Sequence, residues 1–150
     1  KTYELNNVFR TNNSVIKFDK IRNQTTGKIE SIDFSSGTID IVYEQLPRAS
    51  EVVICDDICD GGGTFIPVLE KLRQQTANST KFILYMTHGL FTKGVDIFFD
   101  AMKGVNLTII TTNTVEIYNH PSVEARIKSE ELIIADIKEV LTNLNYYHKE

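Results

Sequence analysis

Three short apolar runs in the middle of the chain are the feature that most limits how this sequence can fold. They are EVVICDD (51–57), KFILYMT (81–87) and LTIITT (107–112). Runs of this length that are rich in β-branched residues are typical of strands buried on both faces of a parallel sheet. TFIPVLEKLRQQ and VDIFFDAM lie between the runs and have helical spacing. Because strands and helices alternate, the sequence predicts right-handed crossovers and an α/β domain with a parallel sheet.

The first of these helices has a recognisable start. Thr64 is a suitable N-cap, and Pro67 is tolerated because it lies in the first turn. The apolar residues that share one face of the helix are Phe65, Val68, Leu69 and Leu72. This face is predicted to pack on the sheet.

Two segments before the sheet alternate apolar and polar residues. SVIKFDKIR (14–22) and KIESIDF (28–34) flank the polar stretch NQTTG, which predicts a β-ribbon over residues 14–34. TIDIVY (38–43) is a third candidate strand, and Pro47 breaks the chain after it. The ribbon is expected to be an addition to the N-terminal side of the parallel sheet.

The last part of the chain, from about Ser122 to Leu144, has apolar residues at helical spacing. The residues in this pattern are Leu132, Ile133, Ala135, Asp136, Ile137, Val140, Leu141 and Leu144. They predict a closing helix that covers one face of the sheet. Without an internal repeat, linker or low-complexity segment, residues 1–150 are expected to form a single domain.

Composition excludes several classes of function. The chain has 150 residues, enough for one domain, with 41% hydrophobic residues and a formal net charge of −4. It therefore has no global positive field that would attract nucleic acid. No apolar stretch approaches the roughly 20 residues of a membrane-spanning helix, so we expect a cytoplasmic protein without a membrane partner. Cys55 and Cys59 lack the spacing of a zinc site, which indicates structural thiols.

Ligands of open parallel sheets bind beyond the carboxyl ends of the strands, and three loops lie there: 56–64, 87–94 and 111–114. The first loop is the most informative, since it combines acidic residues with three consecutive glycines and a threonine. Its candidate residues are Asp56, Asp57, Asp60, Gly61, Gly62, Gly63 and Thr64. Backbone N–H groups of glycines can converge on an anion, and a helix N-terminus adds partial positive charge. The loop therefore predicts a phosphate-binding site, although it lacks both the GxxxxGK[ST] pattern and the GxGxxG pattern.

The carboxylates beside this loop indicate a second kind of ligand group. An ionised carboxylate only accepts hydrogen bonds, so Asp56 and Asp57 suit hydroxyl groups and not phosphate. Phosphate next to hydroxyls describes a sugar phosphate. The alternative is a plain strand-to-helix turn, but two adjacent acids, three glycines and a threonine exceed what a turn requires.

VVICDDICDGGGTF resembles the phosphoribosyl-diphosphate motif shared by type I phosphoribosyltransferases and ribose-phosphate pyrophosphokinases. FDKIRNQTTGKIES resembles the catalytic flexible loop of the pyrophosphokinases, where a Lys-x-Arg pair on a β-ribbon closes over the transferring diphosphate. YMTHGLFTKGVDIF is similar to the next strand and loop of that family. The resemblance covers roughly residues 15–114, is specific only in the central motif, and implies a phosphoribosyltransferase-like fold.

The resemblance also implies roles for individual residues. Asp56 would contact the ribose hydroxyls, and Asp57 would also bind the substrate. The 5-phosphate would be held by Asp60, Gly61, Gly62, Gly63 and Thr64. Lys20 and Arg22 would neutralise the β,γ-phosphates of ATP during transfer, with Mg²⁺ expected alongside ATP. Without the motif, these two cations would be interpreted as ordinary charges of a solvated ribbon.

The chain departs from the family in several respects. Family members have two similar halves, and the adenine-binding loop and main magnesium ligands lie in the N-terminal half. We therefore expect this chain to be the C-terminal half of a longer protein that forms homo-oligomers, and we assign no metal ligand within it. DDICDGGGT and THGLFTKG resemble divergent phage and bacterial versions. In these the acceptor could be ribose 5-phosphate or a larger ribosyl compound such as ADP-ribose.

Three functions follow as hypotheses. The first is an ATP-dependent diphosphotransferase that acts on the C1 hydroxyl of a ribosyl phosphate. The second is a type I phosphoribosyltransferase, and the third is a non-catalytic sugar-phosphate-binding regulatory homologue. Lys20 and Arg22 favour the first over the third, because a pure binder does not need cations over a leaving group. His88 could orient a ligand, but a capping or loop histidine explains it equally well, and it is left out of the site. Lys93 is interpreted as a surface charge, although its loop could approach a substrate.

Overall fold

The strands of the described residues form a two-stranded ribbon and a four-stranded parallel sheet. The computed structural model describes residues 14–27, 29–116, 121–139 and 141–142. The antiparallel ribbon consists of β1 (Phe18–Arg22) and β2 (Ile29–Phe34). The parallel sheet, in spatial order, consists of β3 (Glu51–Cys59), β4 (Lys81–Gly89), β5 (Leu107–Thr112) and β6 (Leu132–Ala135). The helices are α1 (Ile39–Glu44), α2 (Phe65–Arg73), α3 (Asp96–Ala101) and α4 (Pro121–Lys128). The predicted α/β fold, with a parallel sheet and an N-terminal ribbon as in phosphoribosyltransferase-like domains, is confirmed.

One face of the parallel sheet carries the hydrophobic core. Phe82, Leu84 and Met86 of β4 have no exposed surface, and they share the core with residues of all three crossover helices. The buried residues that the crossover helices contribute are Phe65, Val68, Leu69, Leu72, Phe98 and Val123, and α1 adds Val42. Because the strands follow one another in sequence order, right-handed crossovers place α2, α3 and α4 on the same side. Side chains of the opposite face, such as Ile83 and Tyr85, lie outside the core cluster.

The ribbon is attached to this core by its apolar face. Ile32 of β2 is 5% exposed and pairs with Lys20 of β1. The rings of Phe18 and Phe34, which also pair, lie 4.9 Å apart between centroids. A register shift between Ile21 and Arg22 ends the regular pairing. The prediction of a β-ribbon is confirmed over a shorter stretch than 14–34, and Lys28 lies outside the described residues.

The prediction of a strand over residues 38–43 was wrong, because these residues enter α1. Thr38 N–H donates to Ser35 O at 2.9 Å and closes a 3-10 turn that leads directly into the helix, and the Thr38 hydroxyl donates to the same oxygen at 2.8 Å. Val42 is then buried at 1% exposure, while Tyr43 points outward at 66%. Over only six residues, this pattern of apolar residues suits a short helix and a strand equally well. The choice between them therefore depends on packing against the rest of the chain.

The prediction of one closing helix over residues 122–144 was also wrong. Helix α4 ends at Lys128, Glu130 has a φ of 59°, and residues 132–135 form β6. A positive φ breaks a helix, and LIIA is β-branched enough to pair with the open edge of β5. Leu132 pairs with Ile109 and is 1% exposed. In the described part of this segment, residues 137–139 and 141–142 are helical. Val140 and Leu144 lie outside the described residues.

The carboxyl ends of β3 and β4 extend further than predicted. Strand β3 continues to Cys59, two residues beyond the predicted run, so the loop that was predicted to begin at residue 56 begins at Asp60. Thr64 occupies the N-cap position of α2 but has helical angles and forms no side-chain capping hydrogen bond, so its predicted capping role was wrong. The predicted apolar face of α2 is confirmed, since all four of its residues are buried. No helix within the described residues is long and apolar enough to cross a membrane.

Candidate active site

The glycine loop, residues 60–64, makes a tight turn between β3 and α2. Gly62 is buried and has a φ of +74°, a conformation that other residues rarely adopt. A Cβ at this position would lie 3.0 Å from Ile66 and 3.1 Å from Phe98. The loop is therefore packed against both α2 and α3, and glycine at position 62 is required by backbone conformation and by space.

Several backbone donors of the glycine loop are unused within the described part of the chain. The N–H groups of Gly61, Gly63 and Thr64 have no hydrogen-bond acceptor there, and neither does the Thr64 hydroxyl. Ile66 N–H, by contrast, donates to Gly62 O at 3.0 Å. Unused N–H groups before a helix N-terminus form a binding site for an anion. The loop therefore has free donors where the sequence predicts phosphate binding, and phosphate binding itself stays a prediction.

Both cysteines of the chain lie on β3 beside this loop and are free thiols. Burial raises the pKa of the Cys59 thiol to about 12, with a hydrogen bond from the Gly62 backbone lowering it and the charges of Asp60 and Asp56 raising it. Burial also raises the pKa of Cys55. Since the thiolate is the reactive form, neither thiol has the properties of a nucleophile.

The loop after β4 is bound to the glycine loop by specific hydrogen bonds. Thr92 Oγ1 donates to Asp60 Oδ1 at 2.5 Å. Leu90 N–H donates to Cys59 O at 2.8 Å. The structure thus uses Asp60, a predicted phosphate-binding residue, to connect two loops at the carboxyl edge of the sheet.

The two adjacent carboxylates of β3 point to opposite sides of the sheet. Successive strand residues alternate between faces, and Asp56 is opposite Met86 on the face that carries the core. Asp56 is half-buried, whereas Asp57 is exposed. Asp57 N–H donates to Asp56 Oδ1 at 3.0 Å, which fixes the orientation of the Asp56 carboxylate. The structure therefore separates Asp57 from Asp56, although the sequence placed them together.

An open cavity of about 890 Å³ lies between the ribbon, α1, α2 and β3. Three predicted site residues line it: Lys20 from the ribbon, Asp56 from β3 and Thr64 at the start of α2. Much of the remaining wall is apolar and includes Phe18, Ile41, Leu46, Val52, Ile54, Phe65 and Val68. The structure thus brings a cation, a carboxylate and the end of the glycine loop to one cavity.

Arg22, the second predicted cation, does not line this cavity. Its Nη1 donates to Gly27 O at 3.1 Å within the turn of the ribbon. The ribbon itself is connected to α2 by an ion pair of 2.6 Å between Lys71 Nζ and Asp33 Oδ1. Lys20 therefore lines the same cavity as Asp56, on a ribbon that an ion pair connects to α2, while Arg22 stays at the ribbon's end.

The third loop at the carboxyl edge, residues 111–114, forms hydrogen bonds with the end of β4. Thr112 Oγ1 donates to Thr87 O at 2.7 Å, and Thr114 Oγ1 lies 2.7 Å from His88 Nδ1. His88 is thus oriented by a threonine, but it lies within β4, which continues to Gly89, so its interpretation as a capping or loop histidine was wrong. Sequence reasoning missed the contacts of Thr92 and Lys93 with the glycine loop, and the only signal for them was the TKG sequence that follows the second buried strand.

Part of the chain has a curated relative. Over 66 residues it is 42% identical to a ribose-phosphate pyrophosphokinase of Mycoplasmopsis pulmonis (strain UAB CTIP). The matched stretch is 44% of this chain and 19% of that protein, so the chain spans about a fifth of the relative's length. No family model matches the chain. The similarity agrees with the resemblance of the glycine loop motif to the pyrophosphokinases.

Proposed function

We propose that this chain forms the ribosyl-phosphate side of an ATP-dependent diphosphotransferase, similar to ribose-phosphate pyrophosphokinases. The observation that carries the proposal is the meeting of Lys20, Asp56 and Thr64 in one cavity at the end of a glycine loop with unused N–H donors. The partial similarity to a ribose-phosphate pyrophosphokinase also supports the proposal. In the proposed reaction the β,γ-diphosphate of ATP passes to the C1 hydroxyl of ribose 5-phosphate or of a related acceptor such as ADP-ribose.

The acceptor would bind by its two chemically distinct ends. The N–H groups of Gly61, Gly63 and Thr64 would donate to the phosphate, since they have no acceptor within the described residues. The Asp56 carboxylate would accept hydrogen bonds from the ribose hydroxyls, because its orientation is already fixed by the Asp57 N–H. This arrangement would position C1 toward the ribbon.

Lys20 would act on the group that is transferred. The C1 oxygen forms a bond to the β-phosphorus of ATP, the bond from that phosphorus to the α,β-bridging oxygen breaks, AMP leaves, and the hydroxyl proton passes to solvent. Charge on the phosphoryl oxygens must be neutralised during this step, and an ammonium group from the ribbon can do so. Arg22 would join Lys20 only after its hydrogen bond to Gly27 O is released.

Mg²⁺ would enter with ATP, and the donors at this site fit that mode of binding. Among the described residues no group of three or more His, Cys, Asp or Glu side chains could hold a metal. Mg²⁺ usually binds one or two carboxylates together with substrate phosphates and keeps several waters. Within the cavity, the Asp56 carboxylate is the oxygen donor that the carboxyl end of β3 would provide for such an ion. When bound, the ion would neutralise charge on the phosphates.

A coupled assay of the full-length protein with ATP and Mg²⁺ tests the proposal. Ribose 5-phosphate and ADP-ribose are offered separately, and AMP release is measured. Release with either acceptor, lost in Asp56→Asn and kept in the matched variant Asp100→Asn on α3, supports the diphosphotransferase. AMP with neither acceptor contradicts it and favours the phosphoribosyltransferase or the non-catalytic regulatory homologue.

A further inference from the structure

The loop after β4 places a lysine side chain directly on the glycine loop. The Cε, Cδ and Cγ atoms of Lys93 lie 3.2, 3.3 and 3.5 Å from the position that a Cβ would take on Gly61. A side chain at position 61 would therefore press on the lysine chain, which would have to shift by a few tenths of an ångström. The missing side chain of Gly61 is thus what allows Lys93 to lie along the loop.

Lys93 is held in this position by its neighbours in the chain. Thr92, immediately before it, donates to Asp60 Oδ1 at 2.5 Å. Gly94, immediately after it, has a φ of +81°, and its N–H donates to Phe91 O at 2.7 Å. Phe91 is buried at 7% exposure. The turn that carries Lys93 is therefore fixed on both sides of the lysine.

The ammonium group of Lys93 has no acidic partner where the chain is described. The ion pairs found there use other cations, and Lys93 is exposed. The nearby Asp60 carboxylate already accepts the Thr92 hydroxyl. Beside the lysine, the N–H groups of Gly61 and Gly63 are also unused. One unpaired cation next to unused amide donors is a combination that binds an anion.

We infer that Lys93 binds the phosphate of the ribosyl acceptor, an inference that rests on the proposed function. Nucleotide-binding loops of the GxxxxGK[ST] kind carry their phosphate-binding lysine within the glycine loop. The glycine loop of this chain has none, and the lysine comes from the neighbouring loop, about 30 residues later in the sequence. Lys93 selects acceptors that carry a phosphate over those that do not.

Equilibrium binding of ribose 5-phosphate, ADP-ribose and unphosphorylated ribose to the full-length protein tests the inference. Lys93→Ala is expected to weaken binding of the phosphorylated acceptor about tenfold to a hundredfold, the range for a hydrogen bond to a charged group. Lys93→Arg keeps the charge and is expected to bind within about threefold of the wild type. Lys103→Ala, an exposed lysine after α3, is the matched control and leaves binding unchanged. All variants should keep the wild-type melting temperature, and ribose binding should not change.

Asp56→Asn separates failure of the inference from failure of the proposed function. If Asp56→Asn loses binding of the phosphorylated acceptor and Lys93→Ala binds it as tightly as the wild type, the assignment of Lys93 is overturned while the proposed function stands. If the wild type binds neither ribose 5-phosphate nor ADP-ribose, both are overturned. Weaker binding of ribose in Lys93→Ala would also overturn the assignment, since the effect would then not depend on phosphate.

Discussion

Thr92 and Asp60 join the two loops that form the carboxyl edge of the candidate site, through a hydrogen bond of 2.5 Å from the threonine hydroxyl to the carboxylate. These residues are 32 positions apart in the sequence. The bond therefore restrains the glycine loop from outside, in addition to the close packing at Gly62. It also determines where Lys93 lies.

Thr92→Val removes this hydrogen bond at almost constant volume. We expect a loss of about 1 kcal/mol in the free energy of unfolding, the typical contribution of one such bond, and faster hydrogen exchange at the amides of residues 60–64. Thr92→Ser keeps the hydroxyl and should behave like the wild type. A double-mutant cycle with Asp60→Asn, measured by urea unfolding, should show coupling between the two positions. Additive effects would mean that the bond contributes nothing.

Gly62 and Gly63 should respond differently to the same substitution. Gly62→Ala forces a Cβ into a residue with positive φ and within 3.1 Å of Phe98, so we expect a loss of about 1–3 kcal/mol. Gly63 has no atom within 4 Å of its Cβ position, and Gly63→Ala should change the free energy of unfolding by less than about 0.5 kcal/mol. Thermal and urea unfolding of both variants provide the measurement. Equal losses would contradict the packing of the loop described here.

Arg126 is expected to stabilise the far edge of the sheet in a pH-dependent way. It lies 4.0 Å from the centroid of the Phe99 ring, and its Nε and Nη1 bond Asp96 at 3.0 Å and Glu131 at 2.9 Å. Arg126→Ala should cost about 1 kcal/mol at neutral pH, whereas Arg126→Lys should retain part of the stability because it keeps the charge but not the planar fork.

The pH dependence follows from the pKa of Glu131, which hydrogen bonds from Ser129 and Arg126 lower in the folded protein. The folded state therefore binds the proton less readily than the unfolded state. The stabilisation is fully present above the pKa of an unfolded glutamate, about 4.3, and is lost as the pH falls below it. Urea unfolding at pH 7 and pH 3.5 should show that Glu131→Gln lowers the free energy of unfolding less at the lower pH. If Glu131→Gln lowered the free energy of unfolding equally at the two pH values, the lowered pKa of Glu131 would not contribute to stability.

Lys20→Ala tests the role of the ribbon in the proposed transfer. Because the ammonium group would act on the diphosphate and not on the acceptor, we expect turnover to fall about 100-fold or more while acceptor binding is preserved. Lys128→Ala, at the end of α4 near the opposite edge of the sheet, serves as the control and should leave turnover unchanged. Steady-state AMP release and acceptor titration give the two values. Unchanged turnover in Lys20→Ala would contradict the proposed role.

Most of the sheet could be predicted because its central strands are much more apolar than the segments around them. EVVICDD, KFILYMT and LTIITT are continuous apolar runs, and each forms a strand of the parallel sheet. Residues 38–43 and 132–135 were assigned wrongly, since short stretches of isoleucine, leucine and valine suit a helix or a strand equally well. In both places the outcome depended on contacts that are distant in sequence, the core around Val42 and the open edge of β5.

The candidate site was predictable in composition but not in orientation. Glycines and acids identify the loop, yet the sides to which Asp56 and Asp57 point follow from a strand that continues to Cys59. Lys93 could not be found by spacing, because its contact with Gly61 joins two loops that only the parallel pairing of β3 and β4 brings together. The cavity shared by Lys20 and Asp56 depends in the same way on how the ribbon packs.

Phosphorus NMR of the complete reaction tests the central claim most directly. The full-length protein is incubated with ATP, Mg²⁺ and either ribose 5-phosphate or ADP-ribose, and all phosphorus-containing products are quantified. The account predicts AMP and an acceptor with a diphosphate on C1, formed in equal amounts. ADP with a singly phosphorylated acceptor, or no transfer to either acceptor, would contradict it.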